Sequence, residues 1–337
     1  IIGAGDGVAT PLPFSETILP EALPDHTSVT LGKWHLRDVG NSDLHPVQSG
    51  FDAAVGYVGA PTYFHWTTHV NGVRRNESGY FPSALARRGT EVLGRLDEPF
   101  FLYYASPIPH SPWVPSKAFK GKSGHGDYGD FVMQLDDIVG QINQALKDTG
   151  LDQNTLLIFT SDNGPGPHAT RLMAKKDHRC AGPLRGSKAS IYEGGHRVPF
   201  IAKWPDKISA GTQTSAVINF TDFFATLATL FKVDLANTYP SAKDSHSFLP
   251  ALLGAPDDHL RPAMINGSFS IRQGDWKISS KGNLKHADSS KVRASQFELH
   301  KLTDDLSEQH DLSKDQPEKA NQLLDQLQTF IKQRSLK

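Results

Sequence analysis

A single cysteine, Cys180, stands among 337 residues. That excludes an internal disulfide framework and a cysteine-based zinc cluster. It leaves the compartment open, since a secreted protein can lack disulfides. An excess of charge of one sign is also missing: 35 Lys and Arg face 36 Asp and Glu, for a net charge of −1 and a pI near 7.0. This balance argues against a general nucleic-acid binder. No apolar run approaches the ~20 residues of a membrane span. There is no internal repeat and no low-complexity segment. The chain begins Ile-Ile-Gly-Ala-Gly, without an initiator Met or a signal peptide, and Ile1 to Pro13 has little periodicity. We read it as a fragment or a product of processing.

What is present is a chain long enough for a large core, with 38% hydrophobic residues. One large domain plus a smaller one is expected, at 1–255 and 256–337, with a linker near Pro256 to Arg261. Ser15 to Leu23 reads as a short helix stopped by Pro24. Thr27 to Leu31 reads as a strand that delivers Gly32-Lys33-Trp34-His35-Leu36. Ser83 to Leu96 has helical spacing through Leu85, Val92 and Leu93. Pro99 to Ser106 is a continuous apolar run, as expected of a buried strand in a largely parallel sheet. Asp127 to Asp148 is the clearest helix: Phe131, Val132, Leu135, Ile138, Val139, Ile142 and Leu146 trace its apolar face, and Gly150 closes it. Strands are expected at 155–160 and 216–220, then a helix at 222–231 capped by Thr221-Asp222. Beyond it come short strands at 264–272, 276–279 and 297–302, with a turn at Gln273-Gly274-Asp275, and an amphipathic helix at 316–332.

The stretch from Asn154 to Trp204 holds most of the candidate chemistry. An apolar run ends abruptly in Ser161-Asp162-Asn163-Gly164. In open α/β sheets, ligand groups sit where strands end. Asp162 and Asn163 offer the hard oxygens that Ca2+ or Mg2+ takes, although Asp-Asn-Gly is also good turn chemistry. Lys188 offers a cation for an oxyanion. Lys33 and His35 are either a site or a solvated strand end beside a packed Trp. His110 lies among prolines that restrict its loop. Tyr63, Phe64, His65, Trp66 and His69 form either a surface loop with buried rings or an aromatic pocket wall. The segment between Gly164 and Leu184 carries His168, Arg171, Lys175, Lys176, His178 and Arg179. It is either a solvated basic loop or a subsite for an acidic substrate. Asp136-Asp137 sits in mid-helix and reads as a solvated face.

Four motifs in one order carry a family resemblance: GKWHL at 32–36, PFFLYYASPIPHSPW at 99–113, the run from Asp130 to SDNG at 161–164, and LRGSK at 184–188 followed by YEGGHRVPFIAKWP. GFD and GY at 50–57 agree, as do DFFATLATLF and SFLPALLG. From about Leu12 to Leu312 the chain resembles the sulfatases, arylsulfatases in particular, of the alkaline-phosphatase superfamily. The resemblance implies an α/β fold, an α/β/α sandwich whose mostly parallel central sheet lacks its N-terminal strands here, plus a small C-terminal α+β subdomain. It implies that Lys33 binds sulfate oxygens, and that His35 contacts the nucleophile and helps turn over the intermediate. His110 would contact the sulfate and protonate the leaving oxygen, with Lys188 beside it. Asp162 and Asn163 would hold Ca2+, or Mg2+ in its place. The family's formylglycine nucleophile arises within Cys/Ser-x-Pro/Ala-x-Arg. Cys180-Ala181-Gly182-Pro183-Leu184 does not fit that context, and no other Cys or Ser opens a convincing version. The nucleophile, its arginine and a pair of adjacent aspartates are therefore expected upstream of Ile1. The implied reaction is hydrolysis of a sulfated glycan or small molecule, in a secreted, periplasmic or lysosome-like compartment, with this chain alone inactive. A phosphodiesterase or phosphonate hydrolase of the same superfamily, and a non-catalytic glycan- or oxyanion-binding remnant, remain open alternatives.

Overall fold

The computed structural model describes residues 12–23, 25–34, 36, 44–57, 63–97, 99–234, 242, 244–256, 261–266, 269–281 and 296–335. The chain divides into two compact units. The first comprises 1–155, 204–207 and 224–245; the second comprises 156–203, 208–223 and 246–337.

The first unit is built on β1 (Thr27–Lys33). A short helix α1 (His45–Gln48) leads to β2 (Ala53–Tyr57), and a hairpin follows in β3 (His65–Val70) and β4 (Val73–Ser78). After α2 (Phe81–Leu93) come β5 (Phe100–Ala105) and α3 (Asp127–Asp148). The sheet order is β4-β3-β2-β1-β5. β1 runs parallel to both β2 and β5, and the hairpin adds two strands through an antiparallel pairing on β2. β5 ends the sheet, and its outer edge pairs with no strand among the described residues. Val29 and Leu31 of β1 join Phe81, Leu85, Phe131 and Ile138 in one core. Two backbones approach closely at the end of β1. A Cβ on Gly32 would lie 2.1 Å from the Ala105 carbonyl oxygen, and Gly32 has φ +102°. Gly56 opposes it, where a Cβ would meet the Gly32 oxygen at 2.4 Å. Only glycine fits either position.

The α3 face agrees with the sequence at Phe131, Ile138, Ile142 and Leu146, which are buried. Val132 departs from it: the residue is 41% exposed, because it falls off the stripe that 131, 135, 138 and 142 trace. The Gly150 N–H bonds Lys147 O and the Leu151 N–H bonds Leu146 O, with Gly150 at φ +76°. That pair of bonds is a Schellman closure. The expected helix at Ser15 to Leu23 shrinks to a 3-10 turn, Leu19–Ala22.

The second unit holds β6 (Leu157–Thr160), α4 (Pro167–Ala174), α5 (Glu193–His196) and β7 (Phe200–Lys203). β6 and β7 pair antiparallel. α6 (Asp222–Leu230) starts in the second unit and lies in the first from Phe224 on; back in the second, after α7 (Leu249–Leu252), come β8 (Met264–Asn266), β9 (Ser270–Gln273), β10 (Trp276–Ser280), β11 (Phe297–Lys301) and α8 (Pro317–Ser335). Strands β8 to β11 form an antiparallel sheet in the order β11-β10-β9-β8. Ile271, Ile278, Phe297 and Leu299 pack against Leu323, Leu324 and Leu327 of α8. Two expectations change here. The run 264–272 is two strands that pair with each other, Ile265 opposite Ile271. No strand forms at 216–220: the Ala216 N–H bonds Thr214 Oγ1, and the Asn219 N–H goes to the Asp222 carboxylate at 2.7 Å. Backbone donors committed to neighbouring side chains make no ladder.

Candidate active site

Lys33 ends β1 at the carboxyl edge of the parallel strands, where Gly32 pairs with Ala105 of β5. From Ala105 the chain runs on to His110. Parallel pairing thus brings the two residues to one edge of the first unit, as open α/β sheets do with ligand groups. The His110 N–H bonds Pro107 O, its carbonyl accepts the Tyr63 hydroxyl at 3.1 Å, and its side chain is exposed. The ring Nδ1 lies 2.6 Å from Ser111 O. A carbonyl can only accept, so Nδ1 carries the hydrogen. Nε2 is then an acceptor in the neutral ring and a donor only in the imidazolium. Trp34 is buried against Phe51 and His45. His35 lies outside the described residues.

In the second unit, β6 runs into Asp162 and Asn163. The Asn163 amide nitrogen donates to Gly164 O at 2.9 Å, which leaves its Oδ1 as an uncommitted acceptor, and Ser161 Oγ donates to Asn163 O. The turn reading and the ligand reading therefore coexist: backbone and amide nitrogen make the turn, and the oxygens remain. The loop is fastened by backbone crossings. The Gly164 N–H bonds Gly195 O at 3.0 Å, the Gly194 N–H bonds Arg185 O at 2.7 Å, and the Lys188 N–H bonds Pro165 O at 2.9 Å. The last bond sets Lys188 beside the turn that carries Asp162 and Asn163. A Cβ on Gly164 would lie 1.9 Å from Gly194 O, and one on Gly195 would lie 2.1 Å from Ser190 O. The Gly-Gly pair and the glycine after Asp-Asn are what allow three chain segments to cross here.

Among the described residues the Lys33 and Lys188 ammonium groups and the Asp162 carboxylate have no hydrogen-bond or ion-pair partner. A cation or carboxylate left uncommitted is available to a ligand. Asp162 and the Asn163 oxygen suit a hard cation in type, but two donors fall short of the ~6–8 that Ca2+ takes. No group of three or more His, Cys, Asp or Glu able to hold a metal occurs among the described residues. The fit is partial, and other ligands would have to complete it. Nothing among the described residues fits the formylglycine nucleophile. Cys180 is half-buried, and Gly182 and Leu184 stand where that motif has Pro or Ala and Arg.

Of the aromatic stretch, Tyr63 and Trp66 are 5% and 7% exposed and belong to the core, while Phe64 faces out. The segment after Gly164 is in part the helix α4. Its Arg171, Lys175, Lys176 and Arg179 are exposed and have no acidic partner among the described residues. Asp136 and Asp137 are exposed on α3, and Asp137 accepts from Gln141. The sequence reading missed the charged residues under the Lys188 loop: Arg185, Glu193, Lys277 and Glu308. Lys277 alternates with Trp276 and Ile278, so its pattern is that of a solvated strand face.

The family model for sulfatases matches residues 3–233. An N-acetylgalactosamine-6-O-sulfatase of Bacteroides thetaiotaomicron is 34% identical over 259 residues, covering 71% of this chain and 48% of the relative. Human arylsulfatase A is 36% identical over 239 residues, covering 68% of this chain and 45% of its own. The chain thus spans about half the length of the curated relatives it matches. Among solved structures, one from a glycosaminoglycan-metabolism locus of Bacteroides thetaiotaomicron superposes with a TM-score of 0.81 at 24% identity, covering 95% of this chain and 84% of that one. This likeness shows the fold, α/β with a mixed, mostly parallel sheet and a small C-terminal antiparallel sheet. By the match of its family model and by relatives above 30% identity, the chain belongs to the sulfatase family.

Proposed function

We propose that this chain is part of a sulfuric ester hydrolase acting on a sulfated glycan. The observation that carries the reading is Lys188: it is fastened by its own N–H to the carbonyl of Pro165, beside Asp162 and Asn163, with its ammonium uncommitted. A sulfuryl group in transfer gathers charge on its oxygens, and a fixed cation beside them stabilises it without reorganisation. Lys188 and Lys33 take that role. His110 donates from Nε2 to the leaving oxygen, its ring held by the Nδ1 bond to Ser111 O. His35 serves as the base for the second half of the reaction. Asp162 and Asn163 would hold Ca2+ together with ligands from a preceding segment, and the ion would supply positive charge beside the nucleophile. The nucleophile itself belongs to that same segment.

The finer reading, a polyanionic glycan rather than an aryl ester, is supported by Arg171, Lys175, Lys176 and Arg179. They follow the Asp162-Asn163 turn closely in sequence and lack acidic partners among the described residues. One of the relatives named above is an N-acetylgalactosamine-6-O-sulfatase.

One experiment compares residues 1–337 with the longer gene product on an aryl sulfate, the matched aryl phosphate and a sulfated polysaccharide. The longer protein is expected to cleave the sulfates, with Lys188→Ala lowering kcat by ~10²–10³. Residues 1–337 alone are expected to cleave none. Preference for the phosphate would overturn the reading, as would turnover of the aryl sulfate by residues 1–337. Equal KM for the polymer before and after neutralising Arg171, Lys175, Lys176 and Arg179 would remove the finer one.

A further inference from the structure

The loop that carries Lys188 is held on both sides by Glu308, which follows β11, and by charged residues of the C-terminal sheet. On its upstream side, Arg185 Nη1 donates to Glu308 O at 2.7 Å, and its guanidinium lies 3.7 Å over the Tyr192 ring. On its downstream side, the Glu193 N–H donates to Glu308 Oε2 at 2.7 Å. Lys277 of β10 joins the two carboxylates. Its Nζ donates to Glu193 Oε1 at 2.9 Å and sits 2.9 Å from Glu308 Oε1, close but not aligned as a hydrogen bond. All three side chains are 1% exposed or less. Arg272 of β9 adds a 3.5 Å contact to Glu193, and the Tyr192 hydroxyl bonds Glu298 of β11.

The sheet is therefore two-faced. Ile271, Ile278 and Leu299 meet α8. Arg272 and His300 flank Lys277 across the register, and Ser270 and Glu298 flank Ser279 in the same way. The carboxylates of Glu193, Glu298 and Glu308 are matched by the cations of Arg185, Arg272 and Lys277. Burying ion pairs adds little net stability compared with apolar packing, so the stability of the unit does not account for this layer. Its geometry does: through Glu193, Glu298 and Glu308 its ties reach Arg185, Tyr192 and Glu193, which flank Lys188.

We propose that Lys277 is a positioning residue for Lys188. It neutralises Glu193 and Glu308 so that both can anchor residues 185–196, and thereby fixes where the Lys188 ammonium stands. The positioning claim rests on Lys188 as the oxyanion-binding cation; the anchoring of the loop does not.

Hydrogen exchange and sulfate titration on the same variants separate the two. In Lys277→Met, the amides of Lys188, Gly194 and Gly195, bonded to Pro165, Arg185 and Tyr192 carbonyls, are expected to exchange at least ~10-fold faster, with the amides of α8 unchanged. Since two carboxylates are left facing each other, Lys277→Met can fail to fold. Lys277→Met/Glu308→Gln, which removes one charge of each sign, is expected to fold and show the same selective pattern. Loop amides that stay protected in the double variant, or α8 amides that accelerate equally, overturn the anchoring. By calorimetry, inorganic sulfate is expected to bind the wild type, to bind Lys188→Ala not measurably, and to bind Lys277→Met ~10-fold more weakly. Unweakened sulfate binding in Lys277→Met overturns the positioning role. A wild type that binds no sulfate removes the reading of Lys188, and the positioning role with it, while the exchange pattern still decides the anchoring.

Discussion

His300 shows how a single residue ties this fold to pH. It is buried in β11 and neither ring nitrogen has a hydrogen-bond partner among the described residues. Burial lowers its proton affinity below the ordinary value of 6.5, with Lys277 acting in the same direction and Glu298 opposing it. His196 is also lowered, by burial first and then by Lys277. A histidine depressed in the folded state contributes stability that is complete above the unfolded value. That stability falls away as pH drops from about 6.5 toward the lowered value. Thermal unfolding measured from pH 7.5 to 5.0 is expected to show Tm falling on the acid side, and His300→Phe is expected to flatten that fall. His196 and His26, the latter also lowered by burial, contribute to the slope that remains. An unchanged slope in His300→Phe would mean that the proton affinity of His300 is the same in the folded and unfolded chain. Glu308 moves in the opposite sense, raised by burial despite Lys277, so the comparison is between variants rather than of either curve alone.

Among elements, glycines separate the positions that crossings require from those that sequence could improve. Gly164→Ala would put a methyl 1.9 Å from Gly194 O, at a contact between two backbones that cannot move independently. A loss of ~1–3 kcal/mol or more is expected, since overpacking forces backbone shifts. Two residues on, Gly166 meets nothing within 4 Å, and Gly166→Ala is the near-neutral control. Gly140, exposed within α3 with nothing within 4 Å, is expected to gain ~0.5–1 kcal/mol on Gly140→Ala. Urea denaturation of the three variants checks all of this. The elements also show what could be seen beforehand. α3 was legible because period, length and Gly150 agree, and β5 because six apolar residues in a row have no other home. The hairpin at 65–78 was not, because its burial alternates through one Trp and one Thr among charged residues. Of the site, the residues at strand ends were legible. The layer beneath Lys188 was not, because its members lie as far as 123 positions apart, Arg185 from Glu308, and each by itself has the pattern of a solvated residue.

For the molecule as a whole, the outer edge of β5 has a consequence beyond the site. Phe100-Phe101-Leu102-Tyr103-Tyr104-Ala105 ends its sheet, carries no charge, and exposes Tyr103 by 48%. The opposite edge, β4, carries Arg74, Arg75 and Glu77, the charged dressing that discourages strand addition. Concentration should therefore act on residues 1–337 as a colloidal variable. Light scattering is expected to rise steeply with protein concentration, and Tyr103→Lys to suppress that rise more than a lysine placed on β4. A protein prepared as this length would then be limited by its shelf life in solution before it is limited by its melting temperature.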